Sequence, residues 1–234
     1  MTITRVRAPN PSPLTLSGTN SYVVDGWIVD PGPAIESHLE TLLAAADAQG
    51  GARGIALTHD HADHAEAVPR LATRLGVPVG KWPELRDGDR FGPFDVVYVP
   101  GHADDHLVFV ADGAAFTGDA VLGEGSVFVS GRLREYLDGL RRLRARDLDV
   151  IYPGHGDEVR DPAAKLDEYL AHRAERERKL LAALEAGLSD EDALLDAAWD
   201  DAPPAVRPFA AITLRAHMEK LREEGRLPRR VSSG

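Results

Sequence analysis

Seven consecutive residues, Thr58-His59-Asp60-His61-Ala62-Asp63-His64, hold three imidazoles and two carboxylates. A solvated loop has no physical reason to carry metal-ligating groups at that density, and the run reads as half of a two-metal site. It also constrains the local backbone. On a helix His59 and His61 would diverge by about 200°, whereas side chains two apart in an extended segment share a face. The segment is therefore a strand end or a loop. Upstream, Gly54-Ile55-Ala56-Leu57 is a short apolar run suited to a buried strand. Downstream, Ala65 to Leu75 has helical character, with Pro69 as a local disturbance. A strand-loop-helix junction of this kind can aim two sets of ligands at two neighbouring points.

Three further segments carry matching chemistry, each behind an apolar run. Val96 to Val99 leads into Pro100-Gly101-His102-Ala103-Asp104-Asp105-His106, Ala114 to Phe116 into Thr117-Gly118-Asp119, and Val150 to Tyr152 into Pro153-Gly154-His155-Gly156-Asp157. Strands are thus expected to deliver ligands to one rim of a sheet, with glycines beside them where backbone must approach closely or turn sharply. Of nine histidines, only His38, His172 and His217 fall outside these segments.

The ordered set His-x-His-x-Asp-His, Gly-His, Thr-Gly-Asp and Pro-Gly-His resembles the metallo-β-lactamase-fold hydrolases. The resemblance implies that His59, His61 and His102 hold one metal, that Asp63, His64 and His155 hold a second, and that Asp119 bridges them. It also implies a four-layer αββα sandwich of the α/β class. His61 stands where the oxygen-reducing diiron branch tends to have a carboxylate, which points to hydrolysis. Gly118 to Ser126, then His172-Arg173 with Arg176-Glu177, then Ala211 to Leu214 with His217, Lys220-Leu221 and Glu224-Gly225-Arg226, is similar to the lactamase-beta-2-like subgroup. That subgroup adds a winged-helix-like C-terminal region and includes a single-strand-specific endoribonuclease.

Length and composition set the bounds. A chain of 234 residues with 43% hydrophobic content can bury a sizeable core. Residues 1 to 20 hold no apolar signal core, and no stretch approaches the roughly 18 uninterrupted apolar residues of a membrane span. Membrane association is therefore not expected, and the cytoplasm is the default location. Zero cysteines leave a nitrogen and oxygen site, with no thiolate ligand. The expected cofactor is a pair of zinc ions, with iron, manganese or nickel as alternatives. The net charge of −11 sits mainly in residues 1 to 163, with 15 Lys and Arg against 24 Asp and Glu. Such a body does not look like a nucleic-acid platform. The one mildly basic stretch holds Arg215, Lys220, Arg222, Arg226, Arg229 and Arg230, and a solvated helix face is favoured there over a phosphate-binding patch.

Punctuation divides the chain into a metal-binding catalytic domain at 1–160 and a helical appendage at 161–234. Asp161-Pro162 supplies an N-cap and a first-turn proline for a helix that Gly187 closes. Ser189 to Asp192 opens a second helix, Pro203-Pro204 breaks the chain, and a third helix runs to Gly225. Among the remaining polar residues, His106 is expected to support the site without ligating, and Asp60 either orients an imidazole or solvates a turn. Asp157 is a turn residue. Asn20 and Tyr22 fit an edge hairpin, and Glu124 either lines the cleft or caps a turn. His172, Arg173 and Arg176 fit i,i+4 surface pairing with Glu175 and Glu177, which is slightly favoured over reaching the metal cleft.

Two metals lower the pKa of a bound water to about 7 and place nucleophile and leaving oxygen together. The expected enzyme is a dinuclear hydrolase with Asp63 and Asp119 as catalytic carboxylates and a metal-bridging hydroxide as nucleophile. A small acyl compound such as a thioester, ester or lactone is the favoured substrate, ahead of single-stranded RNA and then of β-lactams. A homodimer is left open.

Overall fold

Alternation along the strands sends neighbouring side chains into different cores, and that sorting builds the layers. The computed structural model describes residues 1–227. A first sheet holds β1 (Ile3–Arg7), β2 (Asn20–Val24), β3 (Trp27–Val29), β4 (Gly54–Ala56) and β5 (Val79–Gly80) in sequence order, antiparallel through β3 and parallel from β3 to β5. A second sheet holds β6 (Arg90–Phe91), β7 (Phe94–Tyr98), β8 (Leu107–Ala111), β9 (Ala114–Gly118) and β10 (Val150–Pro153), with β10 parallel to β9 and the other pairs antiparallel.

Tyr22, Val24, Val29 and Ala56 face Phe94, Val96, Phe109 and Phe116 across the space between the sheets. Their neighbours Val23, Ile28 and Ile55 point the other way. They pack on Leu39 and Leu42 of α1 (Glu36–Ala48) and, beyond the short α2 (Ala62–Ala65), on Leu71 of α3 (Val68–Leu75). On the far side Val97, Val108 and Ile151 meet Tyr136 and Leu140 of α4 (Leu133–Arg144) and Leu166 and Tyr169 of α5 (Pro162–Glu185). The result is the expected α/β sandwich of four layers, αββα, held by large apolar side chains worth about 1.5–3 kcal/mol each when fully buried.

Three local features differ from the sequence expectation. β1 covers β2, so Asn20 and Tyr22 lie on an interior strand and not at an edge. The helical stretch after the histidine run breaks into α2 and α3, with Pro69 in the first turn of α3, where a missing N–H is tolerated. Arg173 and Arg176 are buried and make no surface pairs with Glu175 or Glu177.

α5 carries the chain out of the sandwich. Asp161 caps it by accepting from the Ala164 N–H at 3.0 Å. Farther along, Leu180, Ala183 and Leu184 form a separate core with α6 (Glu191–Ala198) and α7 (Arg207–Glu223). Asp190 caps α6 by accepting from the Ala193 N–H at 3.1 Å, and Pro203-Pro204 turns the chain into α7 through a 3-10 turn at Pro204–Val206. Among the described residues no helix is long and apolar enough to cross a membrane.

His217 sits at the heart of this last core with neither ring nitrogen hydrogen-bonded. Burial, reinforced by the charges of Arg173 and Lys220, drives its pKa down to about 3, although the Glu177 carboxylate lies 3.9 Å away. The unfolded imidazole titrates near 6.5, about three and a half units higher. The folded state therefore prefers the neutral ring. Its contribution to stability is intact above about pH 6.5 and declines at up to roughly 1.4 kcal/mol per unit as pH falls toward 3. Urea unfolding at pH 7 and pH 4.5 should show a smaller acid loss for His217→Leu than for the wild type. Equal losses would show that the ring does not titrate against folding.

Candidate metal centre

The ligand-bearing segments all leave strands on one side of the molecule. β4 ends at Ala56, and Leu57-Thr58 carry the chain to His59 and His61 before α2 presents Asp63 and His64. His102 lies on the loop after β7, Asp119 directly after β9, and His155 directly after β10. These residues fall into groups whose ligand atoms approach within 4.8 Å of one another: His59, His61 and His102; Asp63, His64 and His155; and His59, His64 and Asp119.

Atom by atom, the first group is three facing ring nitrogens. His61 Nδ1 is 3.0 Å from His59 Nε2 and 3.1 Å from His102 Nε2. In the second group Asp63 Oδ2 lies 3.4 Å from His64 Nε2 and 3.3 Å from His155 Nε2. Asp119 stands between them. Its Oδ2 is 3.5 Å from His102 Nε2, while its Oδ1 is 3.5 Å from His64 Nε2 and 3.4 Å from His155 Nε2.

Orientation comes from behind. Asp30, at the end of β3, accepts from the Thr58 N–H and the Thr58 hydroxyl, each at 2.7 Å, and from His64 Nδ1 at 2.8 Å. Because Thr58 spends its proton on Asp30, its oxygen can only accept from His59 Nδ1, 3.0 Å away. Both imidazoles therefore carry hydrogen on Nδ1 and turn Nε2 toward the centre, a device typical of ligating histidines. His64 Nε2 and Asp119 Oδ1 are buried without hydrogen-bond partners. Orphaned donors and acceptors of this kind in a convergent, thiolate-free set fit divalent cations of the zinc or iron type.

The remaining contacts are supportive. His106 stacks on His59 with centroids 4.7 Å apart, and its Nε2 accepts from the Asp119 N–H at 3.1 Å. It thus touches two candidate ligands, and among the described residues it belongs to none of the convergent groups. Asn20 donates to the carbonyls of Pro153 and Gly156 at 3.0 and 2.8 Å, and the Tyr22 hydroxyl donates to Pro153 at 2.7 Å, so both pin the His155 turn. Thr19 donates to Asp63 Oδ2 at 3.0 Å. Asp157 is exposed and pairs with Arg5 and Arg7. Asp60 is exposed, its N–H bonded to Asp105, and it orients no imidazole. Glu124 is exposed. Gly154 has no room for a side chain: a Cβ there would sit 2.6 Å from both Asp119 Oδ1 and His64 Cε1.

Asp30 is the residue that sequence reasoning missed. Its signal was an aspartate at the end of an apolar run whose strand pairs in parallel with the one feeding the histidines, but Asp30-Pro31-Gly32 reads locally as an ordinary turn.

Burial alone would discharge His59, His64, His102, His155, Asp63 and Asp119. It wins at His59, whose pKa falls well below the usual imidazole value, and at His102, pushed down to about 4. At His64 burial is overcome by Asp119 and Asp30, which hold the pKa well above the usual value. At His155 it is overcome by Asp119 and Asp63, which raise the pKa to about 9. The same partners keep Asp119 well below the usual carboxylate range and Asp63 at about 2, again against burial. As metal ligands His59 and His102 would enter neutral, whereas His64 and His155 would each have to release a proton.

Beyond the geometry, residues 191–232 match the family model described as a β-lactamase-associated winged helix domain. The chain is 36% identical to the lactamase-like protein adaB of Aspergillus niger over 79% of its own length, and spans 64% of that protein. It is 31% identical to the atrochrysone carboxyl ACP thioesterase AgnL7 of Paecilomyces divaricatus, covering 99% of this chain and 83% of that one. Among solved structures, a metallo-β-lactamase family protein of Thermus thermophilus superposes with a TM-score of 0.70 at 26% identity, covering 95% of this chain and 94% of its own.

Asp119→Ala should abolish metal retention and reduce hydrolysis by orders of magnitude. His106→Ala and Asp30→Asn, which disturb only the support of ligands, should cost about 10 to 100-fold. Metal content and rate measured on the same preparations check the ranking. Loss of metal in His106→Ala with retention in His102→Ala would overturn the ligand assignment.

Proposed function

We propose that this chain, which belongs to the metallo-β-lactamase superfamily of hydrolases, cleaves small acyl compounds, thioesters first, at a centre built for two divalent cations. The observation that carries the reading is Asp119, whose two oxygens face two separate ligand groups. His59, His61 and His102 would hold one cation, and Asp63, His64 and His155 the other, with zinc preferred over iron, manganese and nickel. Cations held there supply an activated water and neutralise charge that develops on the scissile carbonyl. The protein contributes position and proton handling. Asp63 is the more exposed of the two carboxylates, at 28% of its side chain against 12% for Asp119. Its Oδ2 is occupied by Thr19, so Oδ1 is the atom that accepts a proton from water and passes it to the leaving group. In this reading residues 1–160 form the catalytic body and 161–234 its appendage.

Acyl chemistry is preferred to RNA cleavage because Arg215, Lys220 and Arg226, three of the cations in the C-terminal stretch, are spent internally. Arg215 forms a two-pronged pair with Glu191 at 2.8 Å on both arms. Lys220 bonds Glu177 at 2.7 Å and Glu224 at 3.0 Å, and Arg226 pairs with the same two carboxylates. Arg229 and Arg230 lie outside the described residues. A paired guanidinium releases no counterion from a phosphate, so the electrostatic drive for nucleic acid is weakened. AgnL7, similar along nearly the whole chain, is itself named a thioesterase.

Elemental analysis after zinc reconstitution should approach two equivalents per chain, and a value near zero would sink the dinuclear reading. Parallel assays on thioester, lactone, β-lactam and single-stranded RNA should show thioester turnover fastest. Micromolar RNA binding that weakens steeply with salt, by about −0.7 in log K per log salt for each phosphate contacted, would shift the assignment to phosphodiesters.

A further inference from the structure

Next to the metal centre lies a cavity of about 530 Å³ between the 125–128 segment, α5 and the C-terminal helices. Phe128 is the shared wall. Its ring is 4.7 Å from that of His102 on one side and 5.3 Å from that of Phe209, in stacked contact, on the other. Trp199, Val206 and Phe209 give the cavity an apolar lining, but His172, Arg173 and Arg176 also wall it.

The charges there do not balance. Arg176 is spent: it donates to the Ala198 carbonyl at 2.7 Å and to Asp201 at 2.6 Å. Glu168, also in the wall, pairs with Lys165 at 2.8 Å. Arg173 is 2% exposed, and among the described residues no carboxylate lies within 4.0 Å of it. It donates to the Ser126 hydroxyl and the Val127 carbonyl, while its Nε–H has no partner. His172 Nε2 accepts from Arg176 Nε at 3.2 Å, which leaves the proton on Nδ1, and that donor is buried without a partner too. A buried guanidinium without a counter-charge and two unanswered N–H donors are costly to maintain. They stand in the wall of a cavity, in a chain whose net charge is −11.

We infer that this cavity receives the anionic end of the substrate, a carboxylate or phosphate on a short apolar stem, with Arg173 and His172 as its donors and Phe128 as the step to the scissile bond. The inference rests on the acyl-hydrolase reading and narrows it to acyl compounds bearing an oxyanion remote from the reacting carbonyl. Arg173 and His172 are specificity-determining positions here. Because Arg173 also anchors Ser126 and Val127, an occupied cavity fixes the segment that places Phe128 against His102.

Trp199 reports on the cavity directly. Fluorescence titration of the metal-loaded protein with hexanoate, hexyl phosphate and 1-hexanol should give saturable responses to the two anions and at least about tenfold weaker binding of the alcohol, since bonds from a charged donor are the strong ones. The tighter of the two anions identifies the group. Trp199→Phe should erase the response. Arg173→Met should weaken both anions about tenfold or more and leave hexanol unchanged. Should that variant fail to fold, Val206→Glu at the exposed mouth should repel the anions while sparing hexanol. Equal binding of hexanol and hexanoate, a response that survives Trp199→Phe, or anion affinity unaltered in Val206→Glu would each overturn the assignment. Binding is read without turnover, so a protein that binds the anions and hydrolyses nothing refutes only the hydrolase reading, and one that cleaves neutral esters without binding anions refutes only this inference.

Discussion

The buried carboxylate of Asp30 is the contact on which the metal centre depends. It lies at the end of β3 with φ of 48° and its own N–H bonded to the Ala56 carbonyl, so the strand end is locked to the neighbouring β4. From that position its two oxygens take three hydrogen bonds, two from Thr58 and one from His64. One group therefore fixes the backbone entry of the ligand run, the tautomer of His64 and, through Thr58, the tautomer of His59. A carboxylate 2% exposed is expensive unless its acceptors are filled. Here they are filled by the groups whose geometry the site requires, so stability and ligand orientation are one constraint.

Sheet topology then explains why the remaining ligands arrive where they do. β3, β4, β9 and β10 all end on the same side, and β10 lies parallel to β9, so the segments after them meet at one rim. Gathering six histidines and the candidate ligands Asp63 and Asp119 there concentrates charge that the fold must answer. It does so asymmetrically. His59 and His102 are kept neutral by burial, while His64 and His155 are matched proton for carboxylate by Asp63, Asp119 and Asp30. Gly154, with no space for a Cβ, shows how closely backbone must approach for Asp119 to reach both groups.

The cluster of candidate ligands, which the structure brings together, was legible in the sequence because its constraint is local. Alternate histidines in an extended segment share a face whatever surrounds them, and short apolar runs reveal the strands that deliver the rest. The capped starts of α5 and α6 were readable for the same reason. What stayed hidden depends on partners distant in sequence. β1 is an edge strand carrying Arg5 and Arg7, so it shows little apolar pattern, and without it β2 reads as the edge. Asp30 resembles a turn residue until β4 is placed beside it. Arg173 and Arg176 sit among glutamates at spacings that suit exposed helix pairs, and only the later α6 and α7 bury them. In the basic C-terminal stretch the opposite happened. Arg215, Lys220 and Arg226 looked free, and Glu177 and Glu191, some 24 to 49 residues away along the chain, neutralise them.

Those distant contacts also give the C-terminal helices a part in the centre itself. The Val129 N–H bonds the Thr213 hydroxyl of α7 at 3.0 Å, and Arg173 of α5 holds Ser126 and Val127. Ser130 reaches back to the carbonyls of Gly101 and His102 at 3.1 and 3.3 Å. The 126–130 segment is therefore strung between the appendage and the His102 loop, with Phe128 pressed on the His102 ring. A region that merely covered apolar surface would need none of these bonds. Because the segment has no secondary structure of its own, its position is set by α5 and α7, and the appendage thereby fixes one wall of the cleft that the strands supply with ligands.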